Sequence, residues 1–189
     1  MLEFVKKYGC NIYSQNNEDG LIDQILSRLD ITRGTAVEFG GADGFFCSNT
    51  AALRDKGWAV HMYDLQACEP YVKKKAITPA NINELPVCDL LSIDTDSGND
   101  YECFKEIKQK PAIVIIEINS SIPPHQLHVS DDQGASYKSM VELGLSKGYF
   151  LLAHTGNLVF VLNEYKSLFP EITGDPLYNH ELYFNRSWL

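Results

Sequence analysis

The sequence predicts an α/β domain in which a mostly parallel sheet is covered by helices on both faces, as a three-layer αβα sandwich. Apolar runs of strand length alternate with helix-like segments almost from end to end, which is typical of parallel strands joined by crossover helices. The chain has 189 residues, 44% of them hydrophobic, which suits one domain with a full core. A hairpin signal late in the chain predicts an antiparallel pair at the end of the sheet.

The predicted elements follow one another in chain order. An N-terminal segment, residues 1–33, contains a helix over 17–29 with apolar residues at helical spacing, which Asn16 or Asn17 can cap. The core, residues 34–165, contains strands over 35–39, 58–63, 89–93, 112–118, 149–153 and 158–162, with helices over 49–56 and 136–147. The turn Gly156-Asn157 predicts the closing hairpin, and residues 166–189 form a tail.

Charge and cysteine content exclude several classes of protein. A formal net charge of -9 and a pI near 4.9 disfavour nucleic acid or an anionic membrane as the main partner, because an acidic protein repels phosphates. The five cysteines are odd in number and show no C-x-x-C spacing, which disfavours a disulfide framework or zinc knuckle. Without a signal-like start or a membrane-length apolar run, the sequence predicts a cytoplasmic protein. Its oligomeric state is not predicted.

The stretch "VEFGGADG" is a strand that enters a glycine-bearing turn ahead of a helix, as in Rossmann-like nucleotide-binding domains. The dinucleotide pattern G-x-G-x-x-G would require glycines where Ala42 and Phe45 stand, so that form is excluded. What remains is Glu38 ahead of Gly40 and Gly44. This arrangement is similar to the S-adenosylmethionine (SAM) sites of class I methyltransferases, where an acid near the cationic methionine end makes electrostatic sense.

Asp64 is the second candidate cofactor ligand. It follows Gly44 by 20 positions and ends the next predicted strand. A carboxylate at that place can accept hydrogen bonds from both ribose hydroxyls of a nucleoside. The alternative is a solvated strand end.

Five stretches together resemble the FkbM-like family of SAM-dependent O-methyltransferases over residues 13–162: "YSQNNEDGLIDQIL", "VEFGGADGFFCSNTAALRDKGW", "ITPANINEL", "LLSIDTDSGNDY" and "IVIIEINSSIPP". The resemblance implies a seven-stranded Rossmann-like sheet, with SAM over the carboxyl ends of the first strands. It also implies methyl transfer to a hydroxyl, often on a sugar. Carried onto this chain, it adds Ser14, Gln15 and Asn49 as cofactor-binding residues, although Ser14 and Gln15 can equally form the N-terminal cap of the first helix.

Two departures from the family pattern bear on function. Residues 65–88 have room for only one short helix and a vestigial strand, which thins the expected wall around the adenine. This shortening favours the alternative of a non-catalytic, shortened Rossmann-like nucleotide-binding or interaction domain. In the acidic loop, Ser97 separates Asp96 from Gly98, where the family usually reads D-x-D-G-x-D.

The stretch "SIDTDSGNDY" carries the predicted chemistry. Side chains two apart in a strand share a side, so Asp94 pairs with Asp96, and Glu117 with Asn119 on the next strand. Asp94 can act as the general base that takes the proton of an acceptor hydroxyl. The four side chains together could instead hold Mg²⁺, which the resemblance permits without requiring.

The acidic stretch has three other interpretations. Asx-rich loops with glycine are favoured turns, so the stretch can be purely structural. An EF-hand loop fails because Asn99 occupies the required glycine position. A D-x-D glycosyltransferase motif fits Asp94-Thr95-Asp96 but leaves the glycine turn unexplained. The sequence therefore predicts a SAM-dependent O-methyltransferase for a small hydroxylated acceptor, with a carbohydrate among the candidates.

Overall fold

A computed structural model of the chain describes residues 1–66, 70–95 and 98–173. The helices are α1 (Leu2–Tyr8), α2 (Glu18–Leu29), α3 (Ala51–Asp55), α4 (Asp100–Glu106) and α5 (Tyr137–Ser146). The strands are β1 (Thr35–Phe39), β2 (Ala59–Asp64), β3 (Val72–Lys74), β4 (Leu90–Ile93), β5 (Ile113–Glu117), β6 (Val129–Ser130), β7 (Gly134–Ala135), β8 (Tyr149–His154) and β9 (Asn157–Leu162).

Seven of the strands form one sheet in the order β3-β2-β1-β4-β5-β9-β8. Strands β1 to β5 run parallel, whereas β9 is antiparallel to both β5 and β8. The predicted fold class, a Rossmann-like α/β sandwich with a mostly parallel sheet ending in an antiparallel hairpin, is confirmed. From β1 the chain builds outward to β3, and it then returns to place β4 on the other side of β1. The gap between β1 and β4 is therefore the topological switch point, where ligands of such sheets bind.

The central strands are buried on both faces. Val37 of β1 and Val114 of β5 belong to one hydrophobic cluster, while Ala36 and Ile113, their neighbours in sequence, belong to the other. Because successive side chains of a strand point to opposite faces, a strand covered on both faces is a continuous apolar run in the sequence. These segments were predictable for that reason. The two clusters are the two layers of core between sheet and helices.

The start of α2 differs from the prediction. The helix begins at Glu18, and Asn17 adopts a left-handed conformation (φ 76°) with no capping bond from its side chain. Ser14 takes that part instead, because its Oγ accepts a hydrogen bond of 3.0 Å from the backbone N–H of Asp19. The side-chain cap is therefore Ser14, which the sequence offered as an alternative to Asn16 or Asn17.

Other boundaries shift by a few residues, and three small elements were not predicted. Helix α3 is shorter than the predicted 49–56, while α1 and the β6–β7 hairpin have no counterpart in the prediction. Between residues 70 and 88 the structure has β3 and one 3₁₀ turn at Ile82–Glu84, and no α-helix. No helix in the described part of the chain is long and apolar enough to cross a membrane.

Candidate functional site

The turn after β1 lies at the switch point. Gly40 has φ +81° and donates its backbone N–H to the carbonyl of Tyr63 at 3.0 Å. A Cβ on Gly40 would lie 1.2 Å from the carbonyl oxygen of Asp94, the residue that leaves β4. Only glycine allows this positive φ and this approach of two backbones. The turn therefore joins the carboxyl ends of β1 and β4.

Glu38, predicted as a cofactor ligand, lies behind this turn. Its Oε2 accepts hydrogen bonds of 2.6 Å from the hydroxyls of Ser48 and Thr50, and its Oε1 accepts one of 2.8 Å from the backbone N–H of Asn49. The carboxyl is 3% exposed, and burial raises its pKa while these hydrogen bonds lower it. Glu38 thus holds the segment that leads into α3.

Asn49 belongs to the same buried group. Its side-chain amide donates to Ser92 Oγ on β4 at 3.1 Å, and the residue is 3% exposed. The structure thus brings the two predicted site residues Glu38 and Asn49 together. Their hydrogen bonds, however, are to other residues of the protein. Their predicted contact with the cofactor stays a prediction.

Asp64 is tied to the glycine turn. One carboxylate oxygen accepts the backbone N–H of Ala42 at 3.1 Å, and the other accepts that of Gln66 at 2.8 Å. Gly44, with φ +76°, closes the turn where a Cβ would lie 2.9 Å from Val72 on β3. The side chain of Asp64 is half-buried and ends β2, as the sequence predicts. Its predicted ribose contact stays a prediction.

An arginine that sequence reasoning missed braces the same turn. Arg54 of α3 donates from Nη1 to the carbonyl of Gly44 at 2.9 Å. Its guanidinium carbon lies 4.4 Å from the ring centre of Phe45 and 4.1 Å from that of Tyr71. Cation–π contacts of this kind stabilise a partly desolvated guanidinium. The exit of the turn is thereby fixed to α3 and to the strand edge at β3.

An open cavity of about 200 Å³, here called the switch-point cavity, lies at the carboxyl ends of β1, β4 and β5. Four of the predicted site residues line it: Gln15, Gly40, Asp94 and Glu117. The remaining lining residues were not predicted as site residues: Asn16, Ala42, Phe46, Cys47, Ile118, Gly156 and Asn157. The cavity combines the turn at Gly40, two carboxylates and three side-chain amides.

A second cavity of about 150 Å³, here called the hairpin cavity, adjoins the first. Glu117 and Ile118 line both cavities. Asn119 lines the hairpin cavity, and its side-chain amide donates to the carbonyl of Gln133 at 2.9 Å. Asp94 and Asn119 thus line different cavities, and Glu117 lines both.

The predicted magnesium site has no support in the described residues. No group of three or more His, Cys, Asp or Glu side chains is arranged to hold a metal ion in residues 1–66, 70–95 and 98–173. Of the four predicted ligands, Asp94 and Glu117 share a cavity and Asn119 faces the hairpin. Asp96 and the neighbouring Ser97 lie outside the described residues.

Ser14 and Gln15, which were predicted either to bind the cofactor or to cap the first helix, have different surroundings. Ser14 is 7% exposed and bonds reciprocally with Asp19, whose Oδ2 accepts the backbone N–H of Ser14 at 2.8 Å. Gln15, the next residue, lines the switch-point cavity. Ser14 is therefore the structural cap in this stretch, and the predicted cofactor contact of Gln15 stays a prediction.

The hairpin turn is the part of the cavity that sequence reasoning missed. Strand β8 runs in the same direction as β5, so the turn after it, at Gly156, reaches the carboxyl edge of the sheet. Glu117 is paired in register with Asn157. The signal was present in the sequence, because the predicted order of helix and strand already implied this direction for β8.

Comparisons with known proteins find similarity in structure only. No family model matches this chain, and no curated protein matches it in sequence, so membership of the FkbM-like family stays a prediction. A SAM-dependent methyltransferase from Aquifex aeolicus is similar with a TM-score of 0.49 and 11% identity, over 85% of this chain and 97% of that one. A coclaurine N-methyltransferase bound to N-methylheliamine and S-adenosylhomocysteine has a TM-score of 0.36 and 13% identity, over 93% of this chain and 57% of that one.

Proposed function

We propose that the chain is a SAM-dependent methyltransferase that transfers a methyl group to a hydroxyl oxygen of a small hydroxylated acceptor, such as a sugar. One observation carries the proposal: the switch-point cavity opens at the carboxyl ends of β1, β4 and β5, with Gly40, Asp94 and Glu117 in its lining. Open α/β sheets bind ligands at this place. The glycine turn, which lacks the dinucleotide pattern, and the acidic lining favour a cationic cofactor over a pyrophosphate.

The residues of the cavity suit the two charges at the amino-acid end of SAM. Bound there, SAM would supply an electrophilic methyl carbon on a positively charged sulfur. The carboxylate of Glu117 favours the positive ammonium group in the cavity, and the amides of Gln15 and Asn157 can donate to a carboxylate. Asp64, at the end of β2, remains the proposed partner of the ribose hydroxyls.

Asp94 is the proposed general base. Its backbone N–H donates to the carbonyl of Phe39 at 3.1 Å, which fixes the position of the residue between β1 and β4. As the acceptor oxygen forms its bond to the methyl carbon and the carbon–sulfur bond breaks, the hydroxyl proton must leave. A carboxylate in the cavity can take that proton, and the products are the methyl ether and S-adenosylhomocysteine (SAH).

A calorimetric titration with SAH tests the proposal without knowledge of the acceptor. Binding is expected for the natural chain, with weaker binding after Asp64→Ala. Asp94→Asn should bind SAH as the natural chain does and release no SAH from SAM with a panel of hydroxylated acceptors. Asp23→Asn, a surface change on α2, serves as the control. Absence of both binding heat and a thermal shift at millimolar SAH would refute the proposal. Equal loss of SAH binding in the Asp64 and Asp94 variants would refute the assigned roles.

A non-catalytic Rossmann-like domain is the second candidate. It is favoured by the short connection between β2 and β4, whose described part from residue 70 holds β3 and a 3₁₀ turn. Such a connection offers less surface to cover an adenine ring. The same titration separates the two candidates, because the non-catalytic domain would show no binding of SAH at concentrations that saturate a methyltransferase.

A further inference from the structure

A buried carboxylate joins two distant segments at the rim of the switch-point cavity. Glu18, the first residue of α2, is 0% exposed. Its Oε2 accepts the backbone N–H of Asn16 at 2.7 Å, and its Oε1 accepts the hydroxyl of Thr155 at 2.7 Å. Thr155 lies between β8 and β9, so a single side chain connects the N-terminal segment to the closing hairpin.

The two segments that Glu18 connects are those that line one side of the cavity. Gln15 and Asn16 come from the N-terminal segment, and Gly156 and Asn157 come from the hairpin. They also touch each other, because a Cβ on Gly156 would lie 2.7 Å from the side-chain nitrogen of Asn16. These four residues are here called the amide wall, because three of them, Gln15, Asn16 and Asn157, have side-chain amides.

The carboxylate is suited to its place because its two oxygens face donors on opposite segments. An apolar residue here would leave the N–H of Asn16 and the hydroxyl of Thr155, which is 2% exposed, without their acceptor. Burial raises the pKa of Glu18, while the bond from Thr155 and those from the backbone lower it. Burial of the Glu18 carboxylate costs stability by desolvation, and the donors from Asn16 and Thr155 offset that cost.

We propose that Glu18 is a positioning residue for the cofactor, which holds the amide wall of the switch-point cavity in its binding geometry by joining the N-terminal segment to the hairpin turn. The inference rests on the proposed function. Glu18 does not line the described cavity and acts through Gln15, Asn16 and Asn157. Its loss should therefore weaken binding by loosening the wall.

The test compares SAH binding among matched variants. Glu18→Ala should raise the Kd for SAH by about tenfold or more, because both segments lose their shared acceptor. Glu18→Gln should recover most of the affinity, since its amide oxygen can accept from Asn16 and its NH₂ can donate to the Thr155 hydroxyl. Thr155→Val, which removes only the hairpin partner, should have an intermediate effect and serves as the test if Glu18→Ala does not fold.

The control is Asp89→Ala at the opposite, amino end of the sheet. Asp89 accepts the backbone N–H of Thr35 at 2.8 Å, so its loss should lower stability and leave the Kd for SAH unchanged. Hydrogen exchange gives a second measurement. Glu18→Ala should speed exchange both in residues 12–17 and in residues 154–158, whereas Asp89→Ala should speed it in neither.

Each outcome decides for or against the inference. Weaker SAH binding with faster exchange in both segments, and recovery by Glu18→Gln, would support it. Unchanged SAH affinity in folded Glu18→Ala and Thr155→Val, measured beside a natural chain that binds SAH, would overturn the role of Glu18 alone. No binding by the natural chain would overturn the proposed function and this inference together.

Discussion

Two carboxylates at the carboxyl edge of the sheet have opposite surroundings. Glu38, the last residue but one of β1, lies behind the glycine turn and is 3% exposed, with hydroxyl donors on Oε2 and a backbone donor on Oε1. Asp94 follows the neighbouring strand, is half-buried and lines the switch-point cavity. Residues of the same chemical type are thus divided between holding the turn and lining the cavity. Position relative to the turn decides the role, because the turn separates protein interior from cavity.

The largest expected effect on the free energy of unfolding is that of Gly40→Ala, which would press the ends of β1 and β4 apart. The added methyl group would meet the carbonyl oxygen of Asp94 at 1.2 Å, with backbone on both sides. We expect a loss of more than about 4 kcal/mol, measured by urea unfolding. Gly57→Ala is the matched control, since it has a similar φ of +83° and open space around it. It should cost only about 1–2 kcal/mol, and equal losses for both would contradict the close contact.

Glu38→Ala should have the next largest effect, because it leaves buried donors from Ser48, Asn49 and Thr50 without an acceptor. A loss of about 3 kcal/mol is expected by urea unfolding. Glu38→Gln keeps an acceptor for Asn49, and the Thr50 hydroxyl can turn to accept from its NH₂, so its loss should be smaller, about 1 kcal/mol. If Glu38→Ala unfolds at the same urea concentration as the natural chain, the turn does not depend on this group.

Stability should also depend on pH through His154, which lies in the hairpin behind the amide wall. The ring is 1% exposed, and burial lowers its pKa from 6.5 to about 3. The unfolded chain binds the proton at a higher pH than the folded chain. The contribution of His154 to the free energy of unfolding is therefore fully present above about pH 6.5. It is lost as the pH falls below that value, by ~1.4 kcal/mol per pH unit.

Urea unfolding of the natural chain and of His154→Leu, at neutral pH and at about pH 5, measures this dependence. The natural chain should lose stability relative to the variant as the pH falls. Parallel profiles would show that the pKa of His154 is the same in the folded and unfolded chains, which would contradict the lowered pKa.

Asp94→Asn should have the smallest effect on stability, below about 0.5 kcal/mol, since the change is conservative and its side chain lines the cavity. Its effect should be on the reaction, where loss of a general base typically lowers turnover by about 10²–10⁴-fold. Release of SAH measures turnover once an acceptor is in hand. A variant with full turnover would assign the base to another residue, with Glu117 as the first candidate.

The two regions also differ in how far the sequence predicts them. Strand β1, which contains Glu38, and the glycine turn were predictable because an apolar, β-branched run followed by glycines is typical of a strand that enters a turn. The edge positions of Asp94 and Glu117 followed from strand ends and the parallel order. The partners of Glu38 were not predictable, because hydrogen-bond partners depend on side-chain directions that strand periodicity does not define.

The sequence by itself determined the α/β class, most strand positions, the acidic edge and the hairpin, because these follow from hydrophobic periodicity and turn chemistry. Only the tertiary structure decided which polar residues face the cavity. Glu18 and Thr155 are far apart in the chain and meet because the start of α2 and the turn of the hairpin lie at the same edge of the sheet. A local sequence pattern cannot predict such a contact, because its free energy comes from packing and burial that exist only once the sheet has formed.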